Sequence, residues 1–343
     1  MKAFFSGLLY FLVLCQGIAG QPQPIDKVKF FTDQSILKAS LITSIGKVIN
    51  HKATGKNTLT GRFICKLPDS TSADEKILVE TRGHFRRDYC YLPPLKIVFN
   101  KNDSSVLSPL KSLKLVSTCK LNNQYSQYLL KEFLVYKIYN LLTEKSFRVR
   151  LLDLEYIDSS GKKKTIKENA FFIEDVKEMA KRNNCKEWTG GRPHTEYTNR
   201  KQMTLLAVFE YMIGNTDWSV PVRHNIRTIR NKDDTTALSF SVPYDFDYCG
   251  LVNTEYAIPD ELLNIQTVLE RVYRGFPRTM GELDEALGLF NKQKENIFSL
   301  INNFDPLYPR NKKDMIEYLE SFYSLIKDRE EVKSIFIDHA RKE

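Results

Sequence analysis

The hydrophobic period of this chain changes once, near Asp175, and that change limits the architectures open to it. Before it come short runs that alternate apolar and polar residues or read as strand-length stretches between turn residues. They are VKFFTDQSILKASLITSI from Val28, KILVETRG from Lys76, PPLKIVFN from Pro93, SLKLVSTC from Ser112, VRLLDLEYID from Val149 and ENAFFIED from Glu168. Such runs are the pattern of pleated strands. One segment in this half differs: SQYLLKEFLVYKIYNLL, 126–142, carries apolar residues at helical spacing. After Asp175 the helical period dominates. NRKQMTLLAVFEYMIG, 199–214, is an amphipathic helix ending at a glycine suited to a helix C-terminus. Four more helices are expected: PDELLNIQTVLERVYR with Asp260 as cap, TMGELDEALGLFNKQKENIFSLI, KDMIEYLESFYSLI and REEVKSIFIDHA. NIRTIR and ALSFSV flank an NKDDTT turn and predict a β-hairpin. The reading is therefore α+β, with a β-rich N-terminal lobe over 21–175 and a mainly helical C-terminal lobe over 176–343.

Residues 1–20 read as a secretory signal peptide. Lys2 precedes an apolar run over 4–14, and small residues follow at Gly17, Ala19 and Gly20. The run is short for a membrane span, and no later segment offers one. Cys15 raises the question of lipid attachment, but Leu14 is bulky where such sites prefer a small residue. The chain is thus expected to be secreted or periplasmic. Five cysteines remain: Cys65, Cys90, Cys119, Cys185 and Cys249. With no CxxC pair, a structural zinc site is not indicated, and an odd count leaves at least one thiol without an intramolecular partner. Cys90 and Cys119 each follow a strand run that pairing would make neighbours, which points to a bridge between them. The formal charge of +9 is spread along the chain. Its local runs, KKK at 162–164 and RNKKD at 310–314, read as solvated loops. In a secreted protein this balance favours anionic ligands, phosphates included, over nucleic acid.

The predicted hairpin gives a reason for the acidic residues around it. Asp217 and Asn225 precede its first strand and Asp245 follows its second, so antiparallel pairing brings both ends to one edge. Oxygen ligands of this kind suit Mg²⁺ or Mn²⁺ rather than zinc. One Asp to accept a hydroxyl proton, with an Asn and a second Asp to hold metal, is the arrangement phosphoryl transfer uses. His224 reads as a hydrogen-bonding loop residue, with no second His at ligand spacing. Taken singly, Asp217 also fits an Asx-turn and Asp245 with Asp247 a solvated strand edge.

The order helix, loop Asp, loop Asn, hairpin, metal Asp is that of protein kinases, but the spacing differs and neither HRD, DFG nor a glycine-rich loop is present. The chain instead resembles the CotH-like family of secreted atypical kinases. The resemblance lies in TRGHFRRDYCYLPPLKIVFN (81–100), KLVSTCKLNNQYSQYLLKEFLVYKIYNLL, FFIEDVKEMAKR (171–182) and above all GNTDW…HN…PYDFDYCG, similar to the family's N-x-D…N…W-D-x-D pattern. Together these span roughly 80–252. The resemblance implies a protein-kinase-like two-lobed fold, ATP as donor and Mg²⁺ or Mn²⁺ as metal. It places Asp217 in the catalytic-loop role, with Asn225, Asp245 and Asp247 as metal ligands. Tyr244 stands where the family has Trp. Lys96 or Lys114 would meet the nucleotide phosphates, with Glu132 orienting that lysine. Arg82 and Arg86 are further phosphate contacts, and Glu174 borders the nucleotide. The implied partners are a nucleotide and a hydroxyl-bearing acceptor on a protein, sugar or small molecule. The competing expectation is a kinase-like binding or scaffold protein of the cell envelope that has lost turnover.

Overall fold

Seven strands before Asp175 roll into one closed barrel. The computed structural model describes residues 25–50, 58–100, 105–234 and 236–342. The expected signal peptide and Cys15 lie outside the described residues. The elements up to Asp175 are α1 (Lys27–Thr32), β1 (Leu37–Thr43), α2 (Ile45–Asn50), β2 (Leu59–Lys66), β3 (Ser72–Thr81), α3 (Phe85–Tyr89), β4 (Leu95–Phe99), β5 (Ser112–Ser117), α4 (Asn123–Leu142), β6 (Val149–Asp158) and β7 (Ile166–Ile173). The barrel order is β1-β2-β3-β4-β5-β7-β6. Every pair is antiparallel except β1 with β6, which run parallel from Leu37↔Leu152 to Thr43↔Asp158 and close the sheet. Alternation does the rest: Leu41, Phe63, Ile97, Phe99, Leu115 and Phe172 fill the interior. The run from Val28 begins as helix rather than strand. Phe30 and Phe31 of α1 pack side by side into that same interior, which a strand's alternation would not allow.

The second half contains α5 (Val176–Arg182), β8 (Cys185–Glu187), α6 (Arg200–Ile213), β9 (Ile226–Asn231), β10 (Phe240–Pro243), α7 (Met280–Asn302), α8 (Pro309–Leu325) and α9 (Arg329–Lys333). The expected hairpin is present as β9–β10, extended by β8 into a three-stranded sheet. RNKKD at 310–314 lies in the first turns of α8, not in a loop. The helix expected over 259–274 does not form; only Glu261–Leu263 makes a single 3₁₀ turn, capped by Asp260. Tertiary bonds override the helical period there. Arg271 donates to Met212 O at 3.1 Å and to Tyr318 O, and Arg274 donates to Thr216 O, so the segment is strapped across the end of α6 and the middle of α8.

The protein-kinase-like two-lobed fold is therefore corrected. The strands make a closed mixed barrel followed by helices, an architecture that does not resemble it. The cause is the β1–β6 pairing, which joins segments more than a hundred residues apart and leaves no trace in local periodicity. What ties the two halves together is α4. It buries 13 of its 20 residues, Gln127, Lys131 and Glu132 among them, so it is an interior helix covered on most sides rather than a one-sided one. A disulfide between Cys90 and Cys119 links the end of α3 to the end of β5, while Cys65, Cys185 and Cys249 are buried free thiols. No described helix is long and apolar enough to cross a membrane.

The β1–β2 pairing leaves little room at Gly61, where a Cβ would meet Ile42 O of β1 at 2.6 Å, whereas a Cβ at Gly288, inside α7, meets nothing within 4 Å. Gly61→Ala is expected to destabilise by about 1–3 kcal/mol. Gly288→Ala is expected to stabilise by about 0.5–1 kcal/mol. Denaturant midpoints of the two variants check this; equal midpoints would contradict the close β1–β2 approach at Gly61.

Candidate functional site

α4 starts from Asn122, whose side chain caps Tyr125 N, and carries Glu132 and Tyr136 one turn apart on one face. Glu132 is 1% exposed. Tyr136 Oη accepts a hydrogen bond from Asp245 N at 2.8 Å, so the same helix face supports the chain leaving β10. That chain is set by the hairpin. Pro243 pairs with Ile226, and Tyr244 N bonds Asn225 O at 3.0 Å, placing Asn225 and Asp245 at one edge. Asn225 and Asp245 take left-handed φ of 50° and 68°, a conformation that Asn and Asp tolerate better than most residues.

Carboxylate oxygens of Glu132, Asp245 and Asp247 lie within 4.8 Å of one another. Asp247 is held by Tyr256 Oη, which donates to its Oδ2 at 2.8 Å, and by Thr254 Oγ1 on its carbonyl. The guanidinium of Arg86 enters this group from α3: Nη1 is 3.4 Å from Glu132 Oε2 and 3.6 Å from Asp247 Oδ2, and Nη2 donates to Ser117 O at 2.9 Å. Burial pushes Asp247 up to about 6, and the charge of Asp245 adds to the shift. Burial and then Asp247 push Glu132 well above the usual carboxylate range. Burial opposes the charge on Arg86, but Tyr256, Asp247, Glu132 and Asp245 together raise it. Glu132 Oε1 is buried with no hydrogen-bond partner among the described residues. A hard divalent cation fits three converging carboxylates of which one oxygen is unsatisfied.

Asp217 follows α6 in a loop folded back by the Ser219↔His224 bridge. Its Oδ1 is 2.7 Å from His224 Nε2, and its Oδ2 accepts from Asn225 Nδ2 at 2.9 Å. That bond commits the nitrogen of Asn225 and leaves its Oδ1 free of it. Asp217 stands outside the three-carboxylate group, near enough for its charge to help raise Asp247.

On the barrel side, Glu80, Lys96 and Lys114 form one cross-strand row over β3, β4 and β5. Lys114 is the member that faces the helical half. Its Nζ lies 4.7 Å from the centroid of Tyr244, and Arg227 of β9 approaches the same ring at 5.1 Å. Burial, with the charges of Arg82 and Arg227, lowers Lys114 to about 8, against the opposing pull of Asp245 and Asp175. Arg82, just past β3, is lowered by burial and supported by Asp245, and its Nε is buried without a partner among the described residues. Arg82, Lys114 and Arg227 form no ion pair among the described residues. Lys114 and Arg227 at one half-buried ring, with the charge of Arg82 close enough to act on Lys114, offer a place for an anion.

The structure thus gathers Arg82, Arg86, Lys114, Glu132, Asp217, Asn225, Asp245 and Asp247. It does not gather Lys96, whose Nζ bonds Glu80 Oε2 at 3.1 Å. Nor does it gather Glu174, whose carboxylate takes Arg182 Nε at 2.9 Å and Arg148 N at 3.1 Å at the rim of a separate cleft of about 330 Å³. Glu132 meets Arg86 rather than a lysine, and joins the carboxylates instead of serving a phosphate contact. Arg227, Tyr136 and Tyr256 escaped sequence reading. Arg227 had a usable signal as a cation on a hairpin strand adjoining Asn225; Tyr136, at helical spacing in an apolar run, fits helix core, and Tyr256 stands in a loop with no pattern to mark it. No protein-family model matches the chain, and no curated protein or solved structure matches it at a significant level.

Arg86 is the counter-ion of the acidic group before any cation enters. Arg86→Met is expected to lower stability in chelator by about 3 kcal/mol, since it leaves buried carboxylates uncompensated. It is also expected to enlarge the rise in melting temperature caused by Mg²⁺ or Mn²⁺. Unchanged stability in chelator, with a smaller response to nucleotide alone, would instead make Arg86 a phosphate contact.

Proposed function

We propose that this chain is a divalent-cation-dependent phosphotransferase that moves the terminal phosphate of ATP to a hydroxyl acceptor, as the resemblance to CotH-like kinases implies. The fold lends the reading nothing; the site carries it. The single observation behind it is that an anion site of unpaired cations (Arg82, Lys114, Arg227) adjoins a buried carboxylate group (Glu132, Asp245, Asp247) with one unsatisfied oxygen. Phosphoryl transfer needs those two halves side by side: cations for the phosphate tail and oxygen ligands for the ion that neutralises it.

The residues divide as follows. Glu132, Asp245 and Asp247, with Asn225 Oδ1, would hold Mg²⁺ or Mn²⁺, which when bound supplies charge neutralisation at the phosphate oxygens. Lys114, Arg82 and Arg227 bind and orient the phosphates, and Tyr244 keeps two of those cations apart. Asp217 takes the proton of the acceptor hydroxyl as that oxygen forms its bond to the terminal phosphorus and the bond to the bridging oxygen of ADP breaks. His224 and Asn225 fix the carboxylate for that step. The buried Cys90–Cys119 disulfide supports placing the activity in an oxidising compartment, in line with the signal-peptide reading.

Asp217→Asn keeps shape but cannot accept the proton. It is expected to preserve the melting-temperature rise given by ATP with Mg²⁺ or Mn²⁺ and to lower phosphate transfer by about 100-fold or more. Transfer is read with labelled ATP on any acceptor, the protein itself included. Unchanged transfer would remove Asp217 from the mechanism; a wild-type protein with no nucleotide response would leave the scaffold reading.

A further inference from the structure

We propose that Glu210 is a positioning residue for Asp217, acting through Asn215; the inference rests on the phosphotransferase reading above. Glu210 sits in the last turn of α6 and is 1% exposed, among Val208, Phe209, Met212 and Ile213, all at 0%. A carboxyl group in such a place opposes folding unless it is well bonded, and burial pushes this one up to about 8. The helix does not need it. Gly214, at a left-handed φ of 66°, ends α6 with its own N–H on Glu210 O and Tyr211 O, so the cap is complete in backbone atoms.

What the carboxyl does have is Asn215. Glu210 Oε2 accepts from Asn215 Nδ2 at 2.9 Å, and Oε1 is buried with no partner among the described residues. Asn215, 1% exposed, is fixed at three points: by that bond, by its backbone N on Glu210 O at 2.8 Å, and by its Oδ1, which accepts from Asp217 N at 3.0 Å. The bonds run in series from helix to side-chain amide to the backbone of Asp217. Without the carboxyl, the Asn215 amide loses the acceptor that fixes its rotation, and Asp217 N–H loses a fixed partner. The Asp217 carboxylate then shifts against His224 and Asn225. An interior group that helps the site more than the fold has a recognisable signature: an apolar replacement keeps or raises stability while function falls.

The test compares Glu210→Met and Glu210→Gln for melting temperature, ATP KM and kcat of phosphate transfer. Glu210→Met is expected to melt no lower than wild type, to keep KM within about twofold, and to lose about tenfold or more in kcat. Glu210→Gln retains an acceptor for Asn215 Nδ2 and is expected to recover most of that loss. A wild-type kcat in Glu210→Met overturns the inference, as does an equal loss in both variants. A lowered melting temperature in Glu210→Met also overturns it, because the carboxyl then serves the fold. A wild-type protein that transfers no phosphate takes the phosphotransferase reading down as well, which separates the two failures.

Discussion

Arg86 enters from a five-residue helix and places one guanidinium nitrogen 3.4 Å from Glu132 and 3.6 Å from Asp247. Both carboxylates are buried, and Asp245 adds a third within 4.8 Å. Carboxylates this close and this dry cannot all stay ionised without a counter-charge, which is why Glu132 and Asp247 are pushed up. Arg86 supplies the one positive charge within ion-pair distance of these acids, and Arg82 adds a second from farther off. The balance is incomplete, and the unpartnered Oε1 of Glu132 marks where it falls short.

Much of the architecture serves to bring that group together. Glu132 needs an interior helix, and α4 is buried on nearly all sides between the barrel and the later helices. Arg86 needs α3 held close, although no residue of α3 is fully buried. The hold comes from the Cys90–Cys119 bridge and from Arg86 Nη2 on Ser117 O, both at the end of β5. Asp245 and Asp247 need the β9–β10 hairpin, with Tyr136 and Tyr256 fixing the chain that leaves it. Lys114 comes from a barrel strand and so sets cations opposite acids across the junction of the two halves.

The parts of this arrangement that were legible in the sequence are those fixed by short-range pattern. The NKDDTT turn between two strand runs gave the hairpin, and the hairpin gave the nearness of Asn225 and Asp245. Barrel closure was not legible, because β1 and β6 meet across more than a hundred residues. Lys96 and Lys114 were indistinguishable by alternation, which puts both on the outer face; only the strand order decides which one faces the helices. The run 259–274 carried a helical period, yet Arg271 and Arg274 hold it to carbonyls of α6, α8 and the Asp217 loop. Glu132 was visible as a charge on an apolar helix, but its partner was not, since Arg86 is 46 residues away.

The central claim is that the Glu132–Asp245–Asp247 group receives a divalent cation beside the phosphate-binding cations. Diffraction at the manganese absorption edge, from crystals grown with Mn²⁺ and a non-hydrolysable ATP analogue, tests it directly. The account expects an anomalous peak roughly 2 Å from oxygens of Asp245 and of Glu132 or Asp247, with the analogue's phosphates against Lys114, Arg82 and Arg227. Crystals that show no peak there, with Arg86 still seated between Glu132 and Asp247 and no phosphate at Lys114, would contradict it.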